Sequence, residues 1–551
     1  MKGDPTRDRR WLSLTILGFG VALVVVDITV VNVVMPSIIG GLDLAIADAE
    51  WINTAYPLVF AALLIPLGRL GDRVGSKRIF VAGLAVFGVA SLFVGSSASV
   101  ATLVAFRGLQ GVGAAMILPA TLSTVHAAFS GRDRAIAFGI WGSVIAGMAA
   151  VGPLVGGWIT TEMSWRWAFY INVPLSLLTI AAALRWVIDR RLRVVETGID
   201  LPGLASVSMG MISLTLALIE GPRHGWLSPT RELRLGNLVW PLERLSIVPL
   251  AALVAVVCLA AFVRIERSRR LAGRVVLVDL ELFRIDSFRR GNILAVIVGL
   301  GEFGLVFVLP LFVRIVLGYS AFQTGILLLA MAAGGFLGGP IAAEIGRRFG
   351  PHRAVVMGMA LEATGVLGVV TMLSPTVTGG RFAIPLFIYG LGVGMASAQL
   401  ASIIMVDIPP EQAGQASGVQ STARQLGAAL GIAILGTVYA ASLGSLTESG
   451  LTQITALDTA AREHIVVRVA DSAGWYVEAL RYWHPDYAPV VAEIDQAIAG
   501  AAARAAITAL AFFVAGVAQA LRLSGGPRPG RRSPQINEGM IPAAAVRGSS
   551  T

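Results

Sequence analysis

Long apolar runs alternate with short polar connections along most of this chain. A helix rises 1.5 Å per residue, so about 20 apolar residues cross the hydrocarbon core of a bilayer. Fourteen runs meet or approach that length: 12–36, 51–69, 79–97, 101–125, 136–161, 167–188, 201–221, 247–265, 291–317, 323–345, 353–373, 382–405, 415–443 and 503–521. The pattern predicts fourteen transmembrane helices. The first run holds Asp27, Asn32 and Pro36 and is longer than a signal-peptide core, so it is expected to persist as the first span. Three polar stretches interrupt the alternation. Residues 266–290 form a basic linker, and residues 444–502 form a long external loop with helical periodicity from Ala460 to Leu480. Residues 522–551 are rich in Gly, Pro, Ser and Arg, a composition expected to be disordered.

Composition strengthens the membrane assignment. Of 551 residues, 56% are hydrophobic and 14% charged, against about 25% charged in soluble domains. The 63 glycines suit close helix packing in lipid. The net charge of +10 raises the question of nucleic acid. However, the basic residues sit in alternate short connections, such as Arg69 to Arg78 and Arg347 to Arg353, as in the cytoplasmic loops of membrane proteins. No nucleic-acid partner is expected, and both termini are placed in the cytoplasm. One cysteine, Cys258, excludes a disulfide framework, and five scattered histidines form no HExxH pair. No metal or other cofactor is expected. Without a G-x-x-x-x-G-K-[ST] loop there is no ATP site of its own. Lys2 and Lys77 are the only lysines, an arginine bias that fits a high-GC bacterial genome and a bacterial cytoplasmic membrane.

The chain repeats itself. Gly71-Asp72-Arg73-Val74-Gly75-Ser76-Lys77-Arg78 matches Gly346-Arg347-Arg348-Phe349-Gly350-Pro351-His352-Arg353 at Gly, Arg, Gly and Arg, 275 residues apart. Each copy falls after the second span of a half. The offset predicts an all-α membrane protein of two six-helix bundles with two extra helices between them. The divisions are a cytoplasmic N-terminus (1–11), an N-terminal bundle (12–188), two linking helices (189–265), the linker (266–290), a C-terminal bundle (291–521) and the tail (522–551).

Charge inside the spans carries the chemistry. Asp27-Ile28-Thr29-Val30-Val31-Asn32-Val33-Val34-Met35-Pro36 places an aspartate among valines, where it is costly unless paired, protonated or facing water. Gly68-Arg69-Leu70-Gly71-Asp72-Arg73-Val74-Gly75-Ser76-Lys77-Arg78 is a glycine-rich connection, able to turn tightly, with an acid that can favour a helix N-terminus. Arg107-Gly108-Leu109-Gln110-Gly111-Val112-Gly113-Ala114-Ala115 sets an arginine within the fourth span. Gly152-Pro153-Leu154-Val155-Gly156-Gly157 combines small residues with a helix-kinking proline. Trp165-Arg166-Trp167-Ala168-Phe169-Tyr170-Ile171-Asn172-Val173-Pro174 opens the sixth span, and Gly414-Gln415-Ala416-Ser417-Gly418 with Arg424-Gln425-Leu426-Gly427 opens the thirteenth.

Together these segments resemble the major facilitator superfamily, specifically its fourteen-helix drug:proton antiporter branch, over about residues 12–443. Ser76 stands where the branch usually has arginine, and Met148 where the antiporter motif begins with glycine. The resemblance implies a transporter and no enzyme. It exports lipophilic or cationic drugs against protons by alternating access. Asp27 is implied as a protonation or cation site, and Gly68, Gly71, Asp72, Arg73, Gly75, Lys77 and Arg78 as a gating loop. Gly152, Pro153, Gly156 and Gly157 form the antiporter motif. A dedicated carrier of one metabolite or self-made antibiotic is the alternative. A monomer is expected.

Depth pairs two of these charges. Asp27 lies about 22 Å from the inner end of its span and Arg107 about 21 Å, so they can meet at one level. The pair is expected to respond to substrate or proton exchange, unless Asp27 is merely bonded to a neighbouring helix. In the second half Glu302 sits near mid-span, with Glu362 and Arg424 at similar depth. Glu302 is expected to be a second acid for protons or cationic drugs, or a structural partner of Arg424. By analogy the helix of Glu362 faces outward, leaving Glu362 and Arg424 as structural or coupling charges. Tryptophans, the Arg264 to Arg274 run and His126 are expected to be incidental.

Overall fold

The computed structural model describes residues 5–42, 46–188, 200–229, 234–235, 238–239, 245–454, 457–483 and 487–523. The N-terminal bundle consists of α1 (Pro5–Leu42), α2 (Ile46–Val74), α3 (Ser76–Ser96), α4 (Val100–Ala128), α5 (Gly131–Glu162), and a sixth span of α6 (Trp167–Tyr170) and α7 (Asn172–Trp186). The linking helices are α8 (Leu201–His224) and α9 (Ile247–Leu271). The C-terminal bundle consists of α10 (Asp286–Ile315), α11 (Ala321–Phe349), α12 (Pro351–Met372), α13 (Ala383–Met405), α14 (Ala413–Leu451) and α17 (Ala488–Leu523). Between its last two members lie α15 (Thr459–Asp471) and α16 (Tyr476–Trp483).

Twelve helices among the described residues are long and apolar enough to cross a bilayer. The other two predicted positions, fifth and ninth, are held by α5 and α10, of 32 and 30 residues. At 1.5 Å per residue each is about 45 Å long, ample for the same depth. Short polar side chains start several helices. Ser99 accepts from the Thr102 N–H at the head of α4, and Ser320 and Gln323 form a reciprocal cap on α11. The sequence repeat is also a structural one. Gly75 between α2 and α3 has φ 105°, and Gly350 between α11 and α12 has φ 90°, values that disfavour any residue with a Cβ.

Within the first half α4 packs on α2 and α3, while α1 packs on α5 and α7. In the second, α13 packs on α11 and α12, and α10, α14 and α17 pack on one another. The halves meet through α5 on α11 and α13, and through α2 and α4 on α14. Helices α8 and α9 pair with each other, and α8 leans on α2 and α14. Large apolar side chains such as Leu178, Leu253 and Ile384 point outward, as expected for a molecule solvated by lipid.

Several expected boundaries shift. Helix α9 runs to Leu271 and α10 starts at Asp286, shortening the basic linker at both ends. Helix α14 continues to Leu451 and α17 begins at Ala488, so the external loop is shorter than 444–502 and mostly helical. Alanine-rich 488–502 lacks a strong apolar signal but has high helix propensity, which is why α17 exceeds its apolar stretch. A two-residue antiparallel ladder, Arg234–Leu235 with Leu238–Val239, adds a minor β element to the all-α expectation. The expected disordered tail lies outside the described residues beyond 523.

Candidate functional site

Asp27 on α1 is buried, 2% exposed, at a junction of four helices. Its Oδ2 accepts from Arg107 Nη1 at 2.7 Å, and its Oδ1 from Gln110 Nε2 at 3.2 Å and Asn172 Nδ2 at 2.9 Å. Arg107 and Gln110 are three residues apart on α4 and therefore share a face. Arg107 Nη1 also donates to Gln110 Oε1 at 2.8 Å, binding the two into one unit. Behind them Ser91 on α3 accepts from Gln110 at 2.7 Å and from Asn172 at 3.4 Å. The Arg107 guanidinium lies 4.7 Å from the Tyr56 ring centroid and 5.9 Å from that of Phe169, a favourable placement for a desolvated cation.

The expected Asp27–Arg107 pair is thus present, inside a larger network than expected. Gln110 lies in the motif read for its arginine, Asn172 in the segment that opens the sixth span, and Ser91 carries no sequence signal at all. Asn172 is aimed by its own segment. Arg166 donates to the carbonyls of Gly95 at 2.7 Å and Ser97 at 2.8 Å, pinning the start of the sixth span to the end of α3. Asn172 follows at the first position of α7.

The segment Gly152 to Gly157, expected to be an antiporter motif, joins α5 to α1. Gly152 leaves no room for a side chain, since an added Cβ would collide with Thr29 Oγ1. Gly156 faces Val30 and Val33, Pro153 lies within the helix, and the Gly157 carbonyl accepts from Thr160 and Thr161. The helix bearing Asp27 is therefore packed closely on α5.

The Gly68–Arg78 connection, expected to gate, meets the other half at the basic end. Asp72 accepts from the backbone N–H of Gly414 at 2.6 Å and Gln415 at 2.9 Å, at the N-terminus of α14. A carboxylate there is favoured by unpaired N–H groups and by the helix dipole. Gly68 touches Gly414 and Gly418 backbone directly. Arg69 Nη1 lies 3.9 Å from Asp72. Lys77 donates to the Leu184 carbonyl at 3.0 Å near the end of α7, and Arg78 is exposed. Ser76, in the usual arginine position, instead meets Ser123 at 2.7 Å. His126 was expected to be incidental, yet its Nε2 lies 3.1 Å from the Ile408 carbonyl of the other half. The linking helices reach this gate as well. Glu266 on α9 accepts from the Leu277 and Val278 N–H groups, and the next N–H, of Asp279, donates to the Gln415 side chain at 2.9 Å.

The second half holds a looser acid site. Arg424 on α14 donates through Nη2 to Glu302 Oε2 at 2.8 Å and through Nη1 to Ser397 Oγ at 3.0 Å. Ser397 donates to Glu302 Oε1 at 3.1 Å. The Tyr389 hydroxyl donates to the Glu302 carbonyl at 3.3 Å. Glu362 lies on an outer helix, as the resemblance implies. Its helix, α12, is peripheral, packing on α13, α11 and α17, but the side chain turns inward and is 0% exposed. Among the described residues no group of three or more His, Cys, Asp and Glu is placed to hold a metal.

Two bundles around buried acid–arginine pairs, latched across their interface at one end, define a multi-pass membrane transporter. Residues 17–432 match the profile of the Major Facilitator Superfamily, and the chain belongs to that family. It is 32% identical to the tetracenomycin C resistance and export protein of Streptomyces glaucescens over 80% of this chain and 78% of that one. It is 33% identical to a puromycin resistance protein of Streptomyces alboniger, over 82% of this chain and 86% of that one. Its fold resembles that of the human organic anion transporter MFSD10, with a TM-score of 0.59 and 12% identity, covering 94% of this chain and all of that one.

Proposed function

We propose that this protein is a proton-coupled antiporter that exports lipophilic or cationic antibiotics by alternating access. The observation that carries the proposal is the pair of buried acid–arginine sites, Asp27–Arg107 and Glu302–Arg424, one in each half. Charges buried in lipid-solvated helices are costly, and transporters use them where an ion or proton must pass. Arg107 holds the charge of Asp27, and a cation or a proton competes at the more exposed Glu302–Arg424 pair. The basic end is cytoplasmic by its excess of Arg and Lys, in a bacterial cytoplasmic membrane. Asp72 of α2, held by the N-terminus of α14, then latches the cytoplasmic gate. Relatives named for resistance and export support the outward direction.

A second reading, an exporter dedicated to one antibiotic, is favoured by those relatives' being named each for a single compound. One experiment addresses both. The chain is expressed in an efflux-deficient bacterial host and challenged with a panel of structurally unrelated antibiotics, with and without a protonophore. Resistance to several cationic or lipophilic compounds, abolished by the protonophore at constant ATP, is expected. Resistance to one compound alone selects the dedicated exporter, and resistance that survives the protonophore removes proton coupling.

A further inference from the structure

Glu362 is a second fully buried acid of the C-terminal bundle, and the pairing of Glu302 with Arg424 leaves it without a partner. Among the described residues neither of its carboxyl oxygens has a hydrogen-bond partner. The position is shaped for a long side chain. An added Cβ at Gly392 on α13 would come within 2.8 Å of Glu362 Cγ, so the glycine makes space for it. Glu362 and Gly365, one turn apart on α12, pack on Gly392 and Tyr389, one turn apart on α13, and the Tyr389 hydroxyl reaches the Glu302 carbonyl at 3.3 Å, so the charges of Glu302 on α10 and Arg424 on α14 act on Glu362. The α17 residue against Tyr389 is apolar Phe513.

We propose that Glu362 is the second acid of this site, and that Arg424 exchanges between Glu302 and Glu362 as one proton passes between the two carboxyl groups. The proposal rests on the proton-coupled reading of the site. An unpaired buried carboxylate is strongly disfavoured, whereas the neutral acid is tolerated. Two carboxyl groups, one guanidinium and one proton sum to zero charge. With Arg424 on Glu302, Glu362 keeps the proton. With Arg424 on Glu362, the Glu362 O–H is broken, its proton is taken by Glu302, and the cluster is again neutral. Neither arrangement buries an unpaired charge, so the two can be close in free energy.

The contacts allow the exchange. Arg424 has one bond from each Nη atom, and its side chain is 21% exposed against 3% for Arg107. Ser397 sits between Arg424 and Glu302 as both acceptor and donor, and a hydroxyl can rotate to either role.

The test needs no substrate. Purified protein in lipid nanodiscs is examined by infrared spectroscopy for the C=O stretch of a neutral buried carboxylic acid. Glu362→Gln should remove one such band from the wild-type spectrum. Glu302→Gln should remove the same band, because Arg424 then turns to Glu362, which gives up its proton. A band that survives Glu302→Gln, or a wild type without the band that Glu362→Gln should remove, overturns the exchange. Should the Gln variants fail to accumulate, Glu362→Asp serves. A shift of that band confined to Glu362→Asp is expected, and an unshifted spectrum counts against the proposal. The protonophore experiment tests the underlying reading separately, so coupled transport can stand even where the exchange fails.

Discussion

The two halves bury an acid at corresponding places and treat it differently. Asp27 and Glu302 are 275 residues apart, the same offset that relates Gly75 to Gly350. Each sits on the first helix of its half. Asp27 receives three N–H donors from two other helices, and a serine behind them fixes two of those donors. Glu302 receives one guanidinium bond and one hydroxyl, with a spare carboxyl group nearby on α12. The arginines do not correspond: Arg107 comes from the fourth helix of its half, Arg424 from the fifth. The repeat has therefore kept the acid while its partners diverged. Three donors on one carboxylate resist rearrangement, whereas a partly exposed arginine on a shared hydroxyl permits it. The first site is built to hold a charge, the second to pass one.

The largest effect should come from removing the two arginines and comparing the losses. Arg107→Ala strands a 2% exposed carboxylate, and breaking a buried pair from one side costs about 3–5 kcal/mol. That is a large share of a typical folding free energy of roughly 5–15 kcal/mol. Arg107→Ala should lower both the amount of protein in the membrane and its melting temperature in detergent. Arg424→Ala should leave amount and melting temperature close to wild type, because Glu302 can take a proton, and should abolish transport. Equal destabilisation by both variants breaks the contrast between the halves.

The gate gives the next largest effect. Asp72 makes two charge-assisted bonds to the α14 N-terminus, each worth about 1.5–3 kcal/mol. Asp72→Asn keeps the size of the side chain but loses the charge that the helix N-terminus favours. The closed basic end should then be populated roughly 10-fold less, since about 1.4 kcal/mol is a factor of ten. Labelling of a cysteine introduced in place of the buried Ser421 on α14, one turn beyond Gly418, should speed up accordingly in membranes of known sidedness. An unchanged labelling rate removes Asp72 from the gate. Labelling that speeds up equally in Gln415→Ala traces the effect on through Asp279 and the linking helices, whose connection runs through the Gln415 side chain.

Much of this was legible before any coordinates. Apolar run length fixed the spans, because lipid leaves the backbone little alternative to helix. The depth of Asp27 and Arg107 predicted their meeting, because helical rise converts residue number into height. Height says nothing of azimuth, and that is where the sequence fell short. Glu362 was assigned with its peripheral helix, but one helix has an inner face too. Asn172 was attributed to packing, because nothing local reveals that Arg166 pins its segment against α3. Ser91 and Ser397 are single hydroxyls in apolar helices, indistinguishable by sequence from serines that bond their own backbone. Helix α17 outran its apolar stretch because alanine favours helix without marking a membrane boundary.

Those two serines provide the finest test of the comparison. Ser91 does not touch Asp27. It accepts from Gln110 and Asn172, each of which also donates to the carboxylate. Ser91→Ala should cost about 1 kcal/mol of stability, with initial rates of drug efflux within about two-fold of wild type, since the Asp27 donors remain. Ser397 stands between acid and arginine, so Ser397→Ala removes a donor from Glu302 and an acceptor from Arg424 at once. The cost falls on the pair that is proposed to move. Efflux rates should drop by roughly ten-fold, the equivalent of about 1.4 kcal/mol, at unchanged protein level and melting temperature. Rates measured in the same membranes for both variants decide the matter. If Ser91→Ala slows efflux as much as Ser397→Ala, the first site moves too, and the division between a holding half and a passing half is lost.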